Sequence, residues 1–238
     1  MPAQGRRVET VRVFDGDTLE LAGGERLRLV GINAPEPARD STSRFGASPA
    51  QPYAGAAQAR LQELTAGGLV LLDDAEREDK YGRLLAHPFT PQGVNITSTM
   101  LREGFGFAVA ISPNLRFTHC YFTAESEARA IRRGVWGSIF FAPKATADFD
   151  LVQPSGFILA EGEIESVHSS RRALWVDFAG ALTLMIRHHD MPHFHNTSSW
   201  PGKWVVARGW VVDRGEDTKP WRKRWLMRIS HPSMLAFE

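Results

Sequence analysis

Residues 26–36 read Arg-Leu-Arg-Leu-Val-Gly-Ile-Asn-Ala-Pro-Glu. Leu27 and Leu29 alternate with Arg26 and Arg28, the two-residue period of a strand with one buried face. The pattern runs out at Gly31-Ile32. An amide, Asn33, and a carboxylate, Glu36, follow in quick succession. Pro35 fixes the backbone beside Glu36 and limits its wandering. Arg28 taken alone reads as an outward surface charge, and Glu36 as a solvated loop charge.

Working outward, two more short strands precede this one, "RVETVRVF" (7–14) and "TLEL" (18–21). The turns "DGD" (15–17) and "AGGE" (22–25) separate the three. Downstream, a loop rich in Ser, Pro and Gly (37–52) leads to "YAGAAQARLQELTAGG" (53–68), where Ala, Leu and Gln favour helix and Gly67-Gly68 end it. "LVLLDD" (69–74) and "RLLAHPF" (83–89) form a hairpin through "REDKYG" (77–82). "NITSTMLREG" (95–104) and "TAESEARAIRRG" (123–134) predict two more helices. This order implies α+β, and a bent five-stranded barrel with three helices at its end is one economical solution.

The stretch "APKATADFDLVQPSG" (142–156) lacks periodicity and is expected to link two domains. The boundaries expected are 1–138 for the first domain, 139–154 for the linker and 155–238 for the second domain. The second half is nearly all strand: "GFILAEGEIESVHS" (156–169), "ALWVDF" (173–178), "LTLMIRH" (182–188), "KWVVARGWVVD" (203–213) and "RWLMRIS" (224–230). A second small barrel or sandwich is the natural reading.

Composition narrows the function less than the motifs do. Of 238 residues, 43% are hydrophobic, enough for real cores. The formal net charge is +1, so any polyanion site must come from local placement of Arg and Lys. The single cysteine, Cys120, excludes an intrachain disulfide, and its simplest reading is a buried thiol. No run approaches the ~20 apolar residues of a membrane helix. The opening "MPAQGRRVET" carries no apolar signal region. Secretion or the periplasm is expected if a leader was removed upstream, and the cytoplasm otherwise.

Charged groups collect where strands end. "DGDT" supplies Asp15 and Asp17, and "DKYGR" supplies Asp79, Lys80, Tyr81 and Arg83. Calcium prefers oxygen ligands, and Asp17, the Asn33 side-chain oxygen and a backbone carbonyl at Ala34 can form a shallow site of that kind. Glu36 can act as general base on a water. Arg28 and Arg83 can grip phosphate oxygens with planar guanidinium forks and stabilise the charge of a five-coordinate transition state. Each piece alone is equally a solvated turn.

Five blocks, "VFDGDTLEL", "RLRLVGINAPE", "DKYGRLLAHPF", "NITSTMLREGFGFA" and "GVW", stand in the order and rough spacing of the staphylococcal nuclease family over about residues 8–137. The resemblance implies an OB-fold barrel and a Ca²⁺-dependent nuclease that cuts DNA and RNA, with single-stranded substrates expected, and leaves 3′-phosphate ends. By position, Asp17, Asn33 and Ala34 resemble the metal ligands, and Glu36 the general base. Arg28 and Arg83 resemble the phosphate clamps, and Lys80 and Tyr81 line the nucleotide site. Asn33 stands where the best-known member has aspartate, so one negative charge is gone and weaker metal binding is expected. Stacking aromatics are replaced around Ala110 and Ser112. The loop 37–52 can add contacts from Arg39 and Arg44, with Tyr53 just after it. The second half resembles, more loosely, an OB-like extension seen in some bacterial relatives. Its "TKPWRKRWLMR" interleaves Trp221 and Trp225 with Arg222, Lys223 and Arg224, a pattern suited to single strands and equally to a charged hairpin tip. "RHHDMPHFH" (187–195) reads as a solvated loop rather than a metal site, because Pro192 breaks any helix aligning His189 with His193. The competing function is a non-catalytic nucleic-acid or protein-binding module on the same fold.

Overall fold

The computed structural model describes residues 5–41, 46–215 and 222–238. The chain divides into two compact units, Met1–Val109 with Pro113–Phe140, and Ala110–Ser112 with Phe141–Glu238. No described helix is long and apolar enough to cross a membrane.

In the first unit, β1 (Arg6–Val8) and β2 (Thr10–Val13) are two halves of one strand interrupted at Glu9. They are followed by β3 (Thr18–Leu21), β4 (Arg26–Leu29), β5 (Ile32–Asn33), α1 (Ala54–Thr65), β6 (Leu69–Leu72), β7 (Leu84–Phe89), α2 (Ile96–Arg102), β8 (Phe107–Ala108) and α3 (Thr118–Ala130). The sheet order is β1-β6-β7-β4-β3-β2. Its two edges are the two halves of the same strand, so the sheet closes on itself as a five-stranded barrel. Only the β4–β7 pairing is parallel. This is the OB-fold connectivity.

Period-two patterning fills the interior. Leu19, Leu21, Leu27, Leu29, Leu69 and Leu71 are at most 2% exposed and meet Ile96, Met100 and Tyr121 from the helices. Each such side chain contributes roughly 1.5–3 kcal/mol on burial. Helix α1 buries Ala54, Ala57, Leu61 and Thr65, spaced three or four apart. In α2, Asn95 caps the helix by accepting the Ser98 N–H. Helix α3 begins at Thr118, five residues before the sequence pattern suggests. Its added turn carries Tyr121 into the core, where the Tyr121 hydroxyl lies 2.7 Å from His87 Nδ1. On the same added turn Cys120 is exposed rather than buried, with its thiol at the margin of the helix pair, 3.7 Å from the Ser98 hydroxyl of α2.

Two glycines position the stretch that carries the chemistry. Gly31 has φ +89°, and a Cβ there would lie 2.1 Å from the Tyr121 ring. Gly16 sits so close to Ala34 and Ala57 that a Cβ would come within 2.7 Å of both side chains. The Asp15–Asp17 turn is thereby pressed against the segment that follows β5.

The second unit contains β9 (Lys144–Ala145), α4 (Phe149–Val152), β10 (Gly156–Ser169), β11 (Ala173–Phe178), β12 (Leu182–Arg187), β13 (Trp204–Asp213), β14 (Trp225–Arg228) and β15 (Leu235–Phe237). Strand β10 pairs with β11 through its second half and with β13 through its first. The circuit β10-β11-β12-β14-β13-β10 closes a five-stranded barrel, again with one parallel pairing, β12–β14. The span 139–154, expected as a linker, is built into the structure. Strand β9 adds to β10, and Phe149 is fully buried beside Trp225. A short α-helix, α4, also appears where none was expected.

Candidate active site

The turn before β3 is shaped by its own acids. The Asp15 carboxylate accepts the Asp17 N–H at 2.8 Å. Asp17 points inward and is 6% exposed. Its Oδ1 forms a 2.9 Å salt bridge with Arg28 Nη1 and accepts the Thr18 hydroxyl at 3.0 Å. Its Oδ2 accepts the Ala34 N–H at 2.7 Å. One carboxylate thus ties the β2–β3 turn to β4 and to the chain leaving β5. Breaking that tie would strand a nearly buried charge, which is costly.

Arg28 is not the outward surface charge that strand alternation allows. It pairs across the sheet with Thr18, beside Asp17, and its guanidinium turns toward the end of its own strand. There Nη1 donates to the Leu29 carbonyl at 3.1 Å, and Nη2 lies 3.5 Å from Asn33 Oδ1. Asn33 is 7% exposed, held in the two-residue ladder with Phe107.

Glu36 lies on the exposed side of this cluster, and its backbone is clamped. The Glu36 N–H donates to Gln51 Oε1, and the Gln51 N–H donates to the Glu36 carbonyl, both at 2.9 Å. Crowding by protein atoms raises the Glu36 pKa above the usual carboxylate value, and the Asp17 charge adds to the rise. The guanidiniums of Arg39, Arg28 and Arg83 pull it back. Glu36 therefore lies within the electrostatic reach of all four groups. Asp15 is pushed up to about 7, first by burial and then by the neighbouring Asp17 charge. The Asp17 carboxylate with the Asn33 amide oxygen beside it is an all-oxygen donor set of the kind a hard divalent cation takes. Asp17, Asn33 and the backbone at Ala34 would hold it.

The β6–β7 hairpin presents Lys80, Tyr81 and Arg83. Asp79 organises its tip by accepting the Tyr81 and Arg83 N–H groups at 2.8 and 3.0 Å. The same carboxylate holds Arg83 Nε and Nη2 at 2.7 Å each. These bonds draw the Asp79 pKa down against the opposing effect of burial. The Arg83 guanidinium lies 5.5 Å over the Tyr81 ring and the Lys80 ammonium 4.9 Å over it. Tyr81 is 51% exposed.

Gln51 escapes a reading of the sequence, and Asp79 and Arg39, visible there as charges, gain their particular roles only in the fold. Gln51 is fifteen residues from Glu36, and only loop closure brings them together. Asp79 holds Arg83 through a four-residue turn. Arg39 is fixed by Ser48, whose hydroxyl accepts from Arg39 Nε at 3.2 Å, and this brings it into play on Glu36.

Other sequence candidates fare differently. Trp225 is 2% exposed, with its indole N–H donating to Asp150, so no ring face remains for a base. Lys223 and Arg224 are engaged by Glu165 and Asp213 at 2.9 and 2.7 Å. Arg222 is exposed. Trp221 and Arg44 lie outside the described residues. Ala110 and Ser112 belong to the second unit, where their N–H groups donate to Met234 Sδ and Ser230 Oγ. His188–His193 form a 3₁₀ turn, and among the described residues no group of three or more His, Cys, Asp or Glu could hold a metal.

Oxygen donors and guanidiniums clustered at one end of a five-stranded OB barrel are groups suited to phosphate oxygens, though the fold alone hosts many functions. Residues 26–138 match the family described as staphylococcal nuclease homologue. An uncharacterized endonuclease of Escherichia coli is 32% identical over 129 residues, 53% of this chain and 74% of that protein. The thermonuclease of Staphylococcus intermedius is 31% identical over 129 residues, 52% of this chain and 73% of its own length. Endonuclease YncB of Bacillus subtilis (strain 168) is 31% identical over 131 residues, 52% of this chain and 59% of its own. The chain belongs to the staphylococcal nuclease family. The family match ends at residue 138, before the second barrel.

Proposed function

We propose that this chain is a Ca²⁺-dependent nuclease that hydrolyses phosphodiester bonds of DNA or RNA, single strands preferred. The observation that carries the reading is the Asp17 carboxylate, bound to Arg28 at 2.9 Å and to the Ala34 N–H at 2.7 Å, two residues before Glu36, whose carboxyl also feels the charges of Arg39, Arg28 and Arg83.

The roles follow from chemistry. Calcium held by Asp17, Asn33 and the Ala34 backbone would polarise the phosphoryl group and lower the pKa of a bound water. Glu36 accepts the proton of the attacking water, and its raised pKa brings it nearer to the pKa matching that general-base catalysis rewards. The Gln51 clamp holds the base in place. Arg83, oriented by Asp79, and Arg28, oriented by Asp17, receive the phosphate oxygens and stabilise the added charge of the transition state. Tyr81 and Lys80 flank the nucleotide.

Asn33 favours the competing reading of a binding module, since one ligand charge is missing. The deciding experiment incubates purified protein with single-stranded DNA and RNA, with Ca²⁺ or with EDTA, and analyses the product ends. Cleavage with Ca²⁺ that EDTA abolishes supports the enzyme. Retained binding without cleavage under every condition supports the module.

A further inference from the structure

In the second barrel, the register of four neighbouring strands aligns one row of side chains across the outer surface. His168 on β10 stands opposite Trp175 on β11, Trp175 opposite Met185 on β12, and Met185 beside Arg228 on β14. Their inward-facing neighbours Leu184, Val176 and Ile186 are fully buried, whereas all four members of the row are partly or fully exposed. An aromatic ring and a thioether thus lie at the centre of the row, with a cation at one end.

The ring is held from two sides. From the β10–β11 turn, the Ser170 hydroxyl accepts the Trp175 indole N–H at 2.9 Å and also the Arg172 and Ala173 N–H groups at 3.3 Å. From the segment after β13, the Arg214 guanidinium lies 6.0 Å over the ring. Arg214 Nε is buried without a hydrogen-bond partner among the described residues, while Nη2 donates to the Lys223 carbonyl. Partial desolvation and the nearby Arg222 charge lower its pKa from the ordinary guanidinium value. Arg171 and Arg172, in the β10–β11 turn, are exposed. Among the described residues, none of Arg171, Arg172, Arg214 and Arg228 has a carboxylate at salt-bridge distance, in contrast to the paired Lys223 and Arg224.

We infer that the outer face of β11 and β12 is a second binding site for single-stranded nucleic acid, with Trp175 as a stacking platform and Arg171, Arg172, Arg214 and Arg228 as phosphate contacts. Asp177, 3.5 Å from His168 on the same face, offsets part of the charge, and the four arginines leave a positive balance complementary to a polyanion; a face with basic turns on both sides can track a backbone while bases stack. A strand held there would be kept near the chain between cuts at the first barrel. The inference rests on the nucleic-acid reading above and concerns retention rather than hydrolysis.

The test measures anisotropy of a labelled oligothymidylate of about 12 nucleotides, within the roughly 4–16 that one such barrel covers. The full chain carries Glu36→Gln to prevent cleavage. Trp175→Ala is expected to raise Kd about tenfold and Trp175→Phe about twofold. Because Trp175→Ala could perturb folding, Arg171→Glu with Arg172→Glu provides an arm on exposed turn residues. That pair is expected to weaken binding and to flatten the slope of log K against log salt by about 1.4. The same second-barrel changes, in a chain with Glu36 intact, should leave hydrolysis of a dinucleotide reporter unchanged. Oligothymidylate binding within twofold of the parent in both arms overturns the inference, as does a duplex of equal length that binds as tightly. Absence of reporter hydrolysis in the parent overturns the nuclease reading instead, and the binding arms still stand or fall by themselves.

Discussion

The two barrels of this chain share one plan and differ in what their turns carry. In each, a long first strand pairs with the second strand by one half and the fourth by the other, and the third and fifth strands run parallel. Between first and second strands the first barrel has Asp15-Gly16-Asp17, and the second has Ser170-Arg171-Arg172. Between fourth and fifth strands the first has Asp79 holding Arg83, and the second has Arg214 leading into a span that ends in Arg222, Lys223 and Arg224. After the third strand the first has Asn33 and Glu36, and the second has a 3₁₀ turn beginning at His188. Cations alone can hold a phosphate, whereas cutting it also needs a base and a site for developing charge. The comparison shows a fold supplying positions and residues supplying chemistry.

The sharpest way to break the comparison is Glu36→Gln. Loss of the base should lower cleavage about 10²–10⁴-fold with folding and nucleotide binding retained, as read by single-turnover kinetics and by binding. In the parent, the acidic limb of the rate profile should fall above the ordinary carboxylate pKa, because the deprotonated base is the active form and its pKa is raised. Full activity in the variant removes Glu36 from the mechanism and erases the main distinction between the barrels.

Arg83→Lys and Arg28→Lys should each cost about 10²-fold in kcat, since a point charge replaces a planar fork. The Arg28 change should also lower the melting temperature more than the Arg83 change, because the Arg28–Asp17 pair is more deeply buried than the Arg83–Asp79 pair.

Asn33→Asp sharpens the comparison in the other direction. It adds a charge beside Arg28 and Asp17 and should tighten Ca²⁺ binding about tenfold, measured by calorimetry. No gain in affinity would show that Arg28, and not the cation, takes up that charge.

The smallest effect concerns Asp15. Its folded pKa, about 7, is above its unfolded value of 3.8. A carboxyl of that kind contributes stability at low pH and loses it as pH rises through the folded value. The metal-free protein should therefore lose about 1–2 kcal/mol between pH 4 and 8 from this group, discounted for its partial exposure. Asp15→Asn should recover most of that, a shift of a few degrees in melting temperature at pH 8. Added Ca²⁺ should stabilise the parent and the variant alike, because Asp15→Asn leaves Asp17, Asn33 and Ala34 in place.

Much of the first barrel was legible because its signals are local. Alternating Leu27 and Leu29 fix a strand, Gly67-Gly68 ends a helix, and "DGD" makes a turn whatever lies elsewhere. The same locality misled at Trp225, where basic neighbours suggest an exposed ring. The pairing of β14 between β12 and β13 puts that ring against Phe149 instead. Cys120 and the start of α3 were misjudged for a related reason. Tyr121 is drawn into a core contributed by distant strands, and this extends the helix backward and leaves the cysteine outside.

The sequence by itself determined the strands, the turns and which turns carry acids or guanidiniums, because period, turn chemistry and residue type act over a few neighbours. Only the tertiary structure decided that Arg28 turns inward to Asp17, that the Gln51 side chain meets the Glu36 backbone, and that Trp175 rather than Trp225 stays partly exposed beside arginines with no salt-bridge partner among the described residues. Those outcomes depend on barrel closure, which brings residues far apart in the chain within hydrogen-bonding and charge range and sets which faces keep water.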